Sequence, residues 1–206
     1  SFYAAQDRLL SSLIAARGIV AFEATEEVEP GIRLWVGDIT RLQVDAIVNA
    51  ANSALLGCFS PNHMCIDNAI HTFAGAQLRE ECAAIMAAQG HPEPTGQAKI
   101  TGAYNLPSKH VLHTVGPIVT DALTDEHRHL LANCYVSCLD LAREHGLRHV
   151  AFCAISTGVF RFPADEAARI AVETVCRYRA EHEAAPTAVF NVFTSDARCH
   201  YERTLA

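Results

Sequence analysis

The sequence predicts an α/β fold with three layers, in which helices cover both faces of a mixed, largely parallel sheet. Apolar runs of strand length alternate along the chain with segments of helical periodicity, which is typical of βαβ units. Half of the 206 residues are hydrophobic, enough for one domain with a full core. Polar loops follow two of the strands, and open parallel sheets bind ligands at the carboxyl ends of their strands.

Residues 1–30 are predicted to form an N-terminal helical extension and linker that pack on the main domain, residues 31–206. Four residues supply the apolar stripe of the helix: Leu9, Leu10, Leu13 and Ile14. Residues 23–31 are acidic and end in a Pro-Gly turn, which predicts a polar linker.

Six strands are predicted, each a short apolar run bounded by turn-forming residues. They span residues 32–36, 44–49, 97–104, 110–115, 148–155 and 188–193. Three longer helices lie between them, at 66–88, 126–145 and 164–183, where helical periodicity runs between glycine and proline breaks. Gly146 is predicted to end the second helix, and Asp196 to cap a final short one.

Composition excludes several classes of function. The formal net charge of −7 argues against broad nucleic-acid binding, which needs a basic surface. We see no apolar run long enough to cross a membrane and no signal peptide. Five of the eight cysteines lie in apolar runs, where a free thiol acts as a small hydrophobe, so we expect reduced thiols and a cytoplasmic location. These five are Cys82, Cys134, Cys138, Cys153 and Cys176.

One loop carries a candidate metal site. Cys58, His63 and Cys65 offer two thiolates and an imidazole, which are ligands that zinc prefers. Three protein ligands suit a catalytic zinc, whose open position holds water or substrate. The alternative is two buried cysteines and a surface histidine, but Pro61 and Asn62 keep the segment a loop. We expect zinc here.

Three further polar residues could contribute to such a site. Asp67 is a candidate general base, a hydrogen-bond partner for His63, or a helix cap. His71 and His113 are possible ligands, although a lone histidine in an apolar run is usually structural.

The second candidate loop, Ser156 to Phe160, follows a buried strand and precedes a helix. Small residues there let backbone N–H groups approach phosphate oxygens, and the helix dipole adds to the attraction. An ordinary turn is the alternative, but a second polar loop at the same edge favours phosphate binding. Asp38 is a turn former or a helix cap, or else an acceptor for an exocyclic amine such as that of adenine.

The motifs together resemble a macrodomain. The matching segments are GDIT at 37–40, VDAIVNAAN at 44–52, IDNAIH at 66–71, TGQAKIT at 95–101, YNLP at 104–107, HTVGP at 113–117 and ISTGVF at 155–160. The glycine-rich loop usual before the Asp67 position is replaced here by a segment that contains Cys58, His63 and Cys65. That replacement is similar to the zinc-containing macrodomain branch associated with class M sirtuins.

The resemblance implies a macrodomain fold, ADP-ribose binding and a set of residue roles. Asp38 would accept from the adenine amine, Ile39 would offer a backbone contact, and Asn52 would hold the distal ribose. The diphosphate would lie in the second loop, with Phe160 against the ribose and Phe193 beside the adenine. That loop comprises Ser156, Thr157, Gly158, Val159 and Phe160. Zinc on the first loop would lie beside the distal ribose.

The resemblance further implies a zinc-dependent hydrolase that removes mono-ADP-ribose from protein side chains, with aspartate and glutamate as the expected linkages. Asn52 and Asp67 are then the candidate catalytic residues. Expected partners are a modified protein, with a lipoate-carrier protein as one candidate, and a sirtuin. The alternatives are a reader that binds ADP-ribose without cleaving it, a deacetylase acting on O-acetyl-ADP-ribose, and a purely structural zinc module.

Overall fold

The structure is a computed structural model and describes residues 1–205. These residues form six α-helices: α1 Phe2–Arg17, α2 Ile66–Ala74, α3 Ala76–Gln89, α4 Asp125–Glu144, α5 Ala164–Glu181 and α6 Ser195–Leu205. They also form nine strands: β1 Val20–Ala21, β2 Glu26–Glu29, β3 Ile32–Val36, β4 Leu42–Gln43, β5 Ala46–Ala51, β6 Ala98–Gly102, β7 His110–Val115, β8 His149–Phe152 and β9 Thr187–Val192. No helix among them is long and apolar enough to cross a membrane.

Seven strands form one mixed sheet in the order β2-β3-β9-β8-β5-β7-β6. The five inner strands are mutually parallel, and the two edge strands, β2 and β6, run antiparallel to their neighbours. The predicted sheet type, mixed and largely parallel, is therefore confirmed. Because the inner strands are parallel, their carboxyl ends all meet at one edge.

Helices cover both faces of the sheet, as predicted. Helix α5 contacts both α4 and α6 on one side, while α2 contacts both α1 and α3 in the layer on the other. Strand β5 lies inside this sandwich and is buried along almost its whole length, since Ala46, Ile47 and Val48 are inaccessible to solvent. A strand covered on both faces needs a continuous apolar run, which is the pattern that predicted it.

The helix predicted at 66–88 is two helices, and the break lies at Gly75. This glycine has a φ of 99° and ends α2, and α3 begins at the next residue. A Cβ there would lie 2.5 Å from the side chain of Gln6, so α1 also approaches the chain closely at this point. The helical periodicity continues across the break, and for this reason the sequence pattern did not reveal it.

The N-terminal segment differs from its prediction after α1. Residues 23–31 were expected to be a polar linker, but Glu26–Glu29 forms edge strand β2 against β3. Its charged side chains suit an exposed edge, where they discourage pairing with other chains. The prediction that Asp196 caps the last helix is also wrong: Thr194 Oγ1 accepts from Ala197 N (3.2 Å), and Asp196 lies in the first turn.

Candidate active site

The residues predicted to form a site follow four neighbouring strands at one edge of the sheet. Asp38 follows β3, Phe193 follows β9, Ser156 follows β8 and Asn52 follows β5. In the sheet these strands stand in the order β3-β9-β8-β5. The candidate residues therefore form a row across the sheet edge, in the order Asp38, Phe193, Ser156 and Asn52.

The two predicted catalytic residues, Asn52 and Asp67, are in contact. Asn52 Nδ2 donates to Asp67 Oδ2 (3.3 Å) and to the carbonyl of Gly57 (3.0 Å). Asn49, which precedes Asn52 and lies within β5, donates to the other carboxylate oxygen, Oδ1, at 2.8 Å. One amide on β5 and one directly after it therefore fix the Asp67 carboxylate at the start of α2.

The environment of Asp67 disfavours its charged form. The residue is only 5% exposed, and burial raises the pKa of its carboxyl above the ordinary value, opposed by the hydrogen bond from Asn49 and by the charge of Arg79. A carboxyl whose pKa is raised toward the working pH can accept a proton more effectively than an exposed one. Asp67 therefore has the surroundings of a general base, and the helix-cap reading does not hold because Cys65 occupies the cap position of α2.

The three predicted zinc ligands lie together on the loop beside Asp67. Their ligand atoms are all within 4.8 Å of one another, and Cys58 Sγ is 3.3 Å from His63 Nδ1. Asn68 Nδ2 donates to the His63 carbonyl (2.8 Å), and Asn68 N donates to Cys65 Sγ (3.4 Å), so α2 supports the loop. The soft donor set and its spacing fit zinc.

Desolvation raises the pKa of the Cys65 thiol, and the neighbouring Cys58 adds to that effect. A cation between the two sulfurs would reverse this effect, because it stabilises both thiolates.

A second group of potential ligands lies beneath the site in the core. His71, Cys82 and His113 place their ligand atoms within 4.8 Å of one another and are all buried. Burial lowers the pKa of His71 to about 4 and that of His113 to about 3, and raises that of Cys82 to about 12, so all three are neutral. Both histidines are buried in the core, and the structural role favoured from the sequence stays a prediction.

His113 is already committed to hydrogen bonds. Its Nδ1 accepts from Asn49 Nδ2 (3.2 Å), which leaves the ring proton on Nε2 to donate to Thr101 Oγ1 (2.9 Å). The same amide of Asn49 also bonds Asp67. A chain of polar contacts therefore runs from edge strand β6 through His113 and Asn49 to the candidate base.

The loop after β8 has the features of an anion cradle. Ser156 has a φ of 64°, and the amides of Gly158, Val159 and Phe160 donate no hydrogen bond to any residue in 1–205. A Cβ at Gly116, which faces the loop, would lie 2.0 Å from Ser156 Oγ. Only glycine at this position lets the two segments approach so closely.

Asp38 caps the short 3₁₀ helix Ile39–Arg41, and its Oδ1 accepts from Thr40 N (3.0 Å). The preceding Gly37 is tied to β9, since its N–H donates to the Val192 carbonyl (2.9 Å). The next residue along β9 is Phe193, whose side chain is 74% exposed and free to stack on a ligand. Asp38 and Phe193 are thus brought to adjacent strand ends.

Three residues of the site were not singled out from the sequence. Asn49 bonds Asp67, Gly116 opposes Ser156, and Arg17 of α1 pairs with the carboxylate of Asp38. The position of Asn49, at the end of an apolar run, was the one available signal. A cavity of about 440 Å³ lies at the opposite, amino-terminal end of β8 and β9 and contains none of the candidate residues.

Comparison with known proteins relates the chain to one family. The family profile described as Macro domain matches residues 48–171. A protein-ADP-ribose hydrolase of Treponema medium is 54% identical over 209 aligned residues, which cover 100% of this chain and 80% of that protein. A protein-ADP-ribose hydrolase of Staphylococcus aureus is 52% identical, over 94% of this chain and 73% of that one.

Solved structures show the same relationship. The Trypanosoma brucei macrodomain in complex with ADP-ribose superposes with a TM-score of 0.79 at 37% identity, over 91% of this chain and 77% of that one. The Oceanobacillus iheyensis macrodomain with ADP superposes with a TM-score of 0.76 at 37% identity, over 84% and 89%.

Proposed function

Since the chain belongs to the macrodomain family, we propose that it is a protein-ADP-ribose hydrolase that removes mono-ADP-ribose from modified side chains with the help of zinc. Relatives that carry the name protein-ADP-ribose hydrolase are 50–54% identical to it over nearly the whole chain, which supports the hydrolase activity. Zinc dependence and the linkage are the finer parts of the proposal: the first is argued from the site, and the second from the family resemblance.

The order of the candidate residues along the sheet edge carries the proposal. An amine acceptor, Asp38, stands at one end and an exposed aromatic ring, Phe193, beside it. The anion cradle at Ser156 comes next, and the amide–carboxylate pair Asn52 and Asp67 stands at the far end. ADP-ribose has the same order of parts: an adenine with its ribose, a diphosphate and the distal ribose.

Each residue of the row then has a defined task. Asp38 accepts from the adenine amine and Ile39 offers a backbone contact, while Phe193 covers the ring. The free amides from Gly158 to Phe160 donate to diphosphate oxygens, as backbone N–H groups do in other anion sites. Asn52 orients the distal ribose, so that the bond to the modified side chain lies beside Asp67.

Hydrolysis breaks the bond between the distal ribose and the side-chain carboxylate and adds water. Asp67 accepts the proton of the attacking water, and its orientation is fixed by Asn49 and Asn52. The products are free ADP-ribose and the unmodified side chain. Holding water and the ribose in one geometry is the main contribution of this pair.

Cys58, His63 and Cys65 are the residues that would hold zinc, and their donor chemistry fits that ion. When bound, the ion would supply Lewis acidity beside the distal ribose. Their position on the loop that leads directly into α2 and Asp67 supports a catalytic rather than a distant structural role.

Substrate preference follows from the family resemblance and extends the proposal. Aspartate and glutamate are the proposed linkages, a lipoate-carrier protein is a candidate target, and a sirtuin is a candidate partner. O-acetyl-ADP-ribose would occupy the same row of residues, and comparing its turnover with that of a modified peptide tests whether deacetylation is the main activity.

The test measures release of ADP-ribose from a peptide that is mono-ADP-ribosylated on glutamate. We expect turnover that a strong zinc chelator abolishes and added zinc restores. Cys58→Ser and Cys65→Ser should lose both metal and turnover, and Cys65→Ser keeps an oxygen to cap α2. Cys199→Ser, at an exposed thiol on α6, is the matched control and should retain both.

Each of the other outcomes would assign a different function to the chain. Turnover that survives verified metal removal would refute zinc dependence and assign catalysis to Asn52 and Asp67 alone. Tight ADP-ribose binding without turnover of ester-linked peptide or O-acetyl-ADP-ribose would identify a reader. Metal content without any affinity for ADP-ribose would identify a structural zinc module.

A further inference from the structure

The N-terminal helix reaches the Asp38 end of the proposed ligand row through one arginine. Arg17, in the last turn of α1, forms an ion pair with Asp38 Oδ2, and the same Nη2 donates to Thr40 Oγ1 at 3.1 Å. Its guanidinium lies 3.7 Å from the centre of the Phe73 ring. The arginine therefore joins α1, α2 and the loop after β3.

The hydrogen bonds of Asp38 leave little choice of position for a ligand. Oδ1 accepts from Thr40 N (3.0 Å) and from Thr40 Oγ1 (2.6 Å), and Oδ2 accepts from Arg17. An ionised carboxylate offers about four acceptor sites, two on each oxygen. Three are occupied, so an incoming amine must use the remaining site on Oδ2, directly beside Arg17.

The pair remains accessible from solvent. The side chains of Arg17 and Asp38 are 26% and 30% exposed, while Thr40 beneath them is fully buried. The inner side of Asp38 is thus fixed by the core and its outer side by α1. A planar guanidinium that stacks on an aromatic ring holds a paired carboxylate in a defined orientation, because its N–H donors have fixed directions.

We propose that Arg17 is a positioning residue for adenine recognition, and that α1 is therefore part of the ligand site although it lies outside the matched family segment, residues 48–171. Arg17 holds Oδ2 of Asp38 so that its free acceptor site faces the adenine amine. It also offsets the negative charge of Asp38, which would otherwise repel a ligand that carries a diphosphate. Arg17 has this role only if the chain binds ADP-ribose as proposed.

The competing explanation is that the ion pair between Arg17 and Asp38 only attaches α1 to the rest of the domain. Half-exposed ion pairs contribute little to stability, and α1 has other attachments. Gln6 Oε1 accepts from Ala76 N (3.0 Å), and Asp7 Oδ1 accepts from Asn105 Nδ2 (2.9 Å). Removing Arg17 should therefore leave the fold intact and change ligand binding.

The experiment measures the Kd for free ADP-ribose by calorimetry in a double-mutant cycle of Arg17→Ala and Asp38→Ala. We expect Arg17→Ala to weaken binding by about fivefold to tenfold in the presence of Asp38, and by less than about twofold in its absence. Arg8→Ala is the matched control: it removes the same charge from the same helix, and Arg8 forms no ion pair with any residue in 1–205. It should change the Kd by less than about twofold.

Steady-state kinetics give a second readout that a tether would not produce. The adenine lies at the opposite end of the row from the bond that breaks, so Arg17→Ala should raise KM while kcat stays within about twofold. Arg17→Lys keeps the charge but not the flat, stacked pair, and should fall between wild type and Arg17→Ala. If Arg17→Ala does not fold, Arg17→Lys enters the cycle in its place.

The role of Arg17 would be overturned by wild-type affinity in Arg17→Ala, or by a loss that is equally large with and without Asp38. A loss matched by Arg8→Ala would also overturn it, because net charge would then explain the effect. Absence of ADP-ribose binding in the wild-type protein would instead refute the proposed function, so the two failures are distinguishable.

Discussion

Replacing Asn49 with leucine tests whether the polar chain beneath the site controls the candidate base. The side chains are similar in size, but leucine cannot donate the 2.8 Å hydrogen bond to Asp67 Oδ1. A hydrogen bond to a charged group contributes about 1.5–3 kcal/mol. The ionised form of Asp67 should lose stabilisation of that order, because burial leaves little water to replace the donor.

The expected result is a shift of the pH–rate profile. Burial already raises the pKa of Asp67, and the hydrogen bond from Asn49 opposes that rise. Without the bond the pKa should rise further, so the acidic limb of the profile moves to higher pH and turnover on that limb falls by roughly tenfold. A cation bound at the loop would act on the wild type and on Asn49→Leu alike, so the direction of the pKa difference between them does not depend on it.

The pH dependence of the Tm gives an independent check, because the direction of its change with pH can be worked out. A carboxyl with a raised pKa in the folded state stabilises the fold less as pH rises through that pKa. Asn49→Leu should therefore lower the Tm more at about pH 7.5 than at about pH 4.5, where Asp67 is closer to neutral. The control is Asn133→Leu, at a half-buried amide on α4 that makes no side-chain hydrogen bond to residues 1–205. Superimposable pH–rate profiles, with an equal loss of Tm at both pH values, would refute the link to Asp67 and leave Asn49 a packing residue.

Two further results are expected. Gly116→Ala should weaken ADP-ribose binding by about tenfold or more while the protein stays folded, because its Cβ would lie 2.0 Å from Ser156 Oγ. The control is Gly102→Ala, which should bind normally because a Cβ there has ordinary 3.7 Å contacts. Calorimetry measures the Kd of both variants. Glu166→Gln should lower the Tm at neutral pH and approach wild type in acid, because hydrogen bonds from Arg169 and Arg128 lower the pKa of Glu166 to about 2 and the stability they add is lost as pH falls from about 4.5 toward that value. Equal Tm differences at pH 7 and about pH 3 would contradict this.

The sequence predicted the fold class well because local patterns determine most of it. The apolar run before Asn52 has the pattern of a buried strand, and the run after α4 has the same pattern. Parallel strands then place their following loops at one edge, so the common location of Asn52, Ser156 and Asp38 followed from chain order alone. The three zinc-ligand candidates were found for a similar reason, since they lie within one short loop.

Residues that act across long separations in sequence could not be predicted in this way. Arg17 reaches Asp38 only because α1 packs beside α2, and no periodicity in either segment reports that contact. The break at Gly75 was missed because a glycine inside a helical pattern is tolerated, and only its φ of 99° shows that the helix ends there. The acidic segment before β3 has the composition of a linker and becomes a strand because β3 has an open edge.

Different parts of the structure hold the two ends of the proposed ligand row. At the proposed distal-ribose end, Asp67 is held by Asn49 on the central strand β5 and by Asn52 directly after it, and is almost fully buried. At the proposed adenine end, Asp38 is held partly by Arg17, which lies on a separate helix and is 26% exposed. Changes near Asp67 should therefore act on kcat and stability together, whereas changes at Arg17 should act on affinity alone. A variant series that mixed these effects would contradict the division of the site into a rigid catalytic end and an adjustable recognition end.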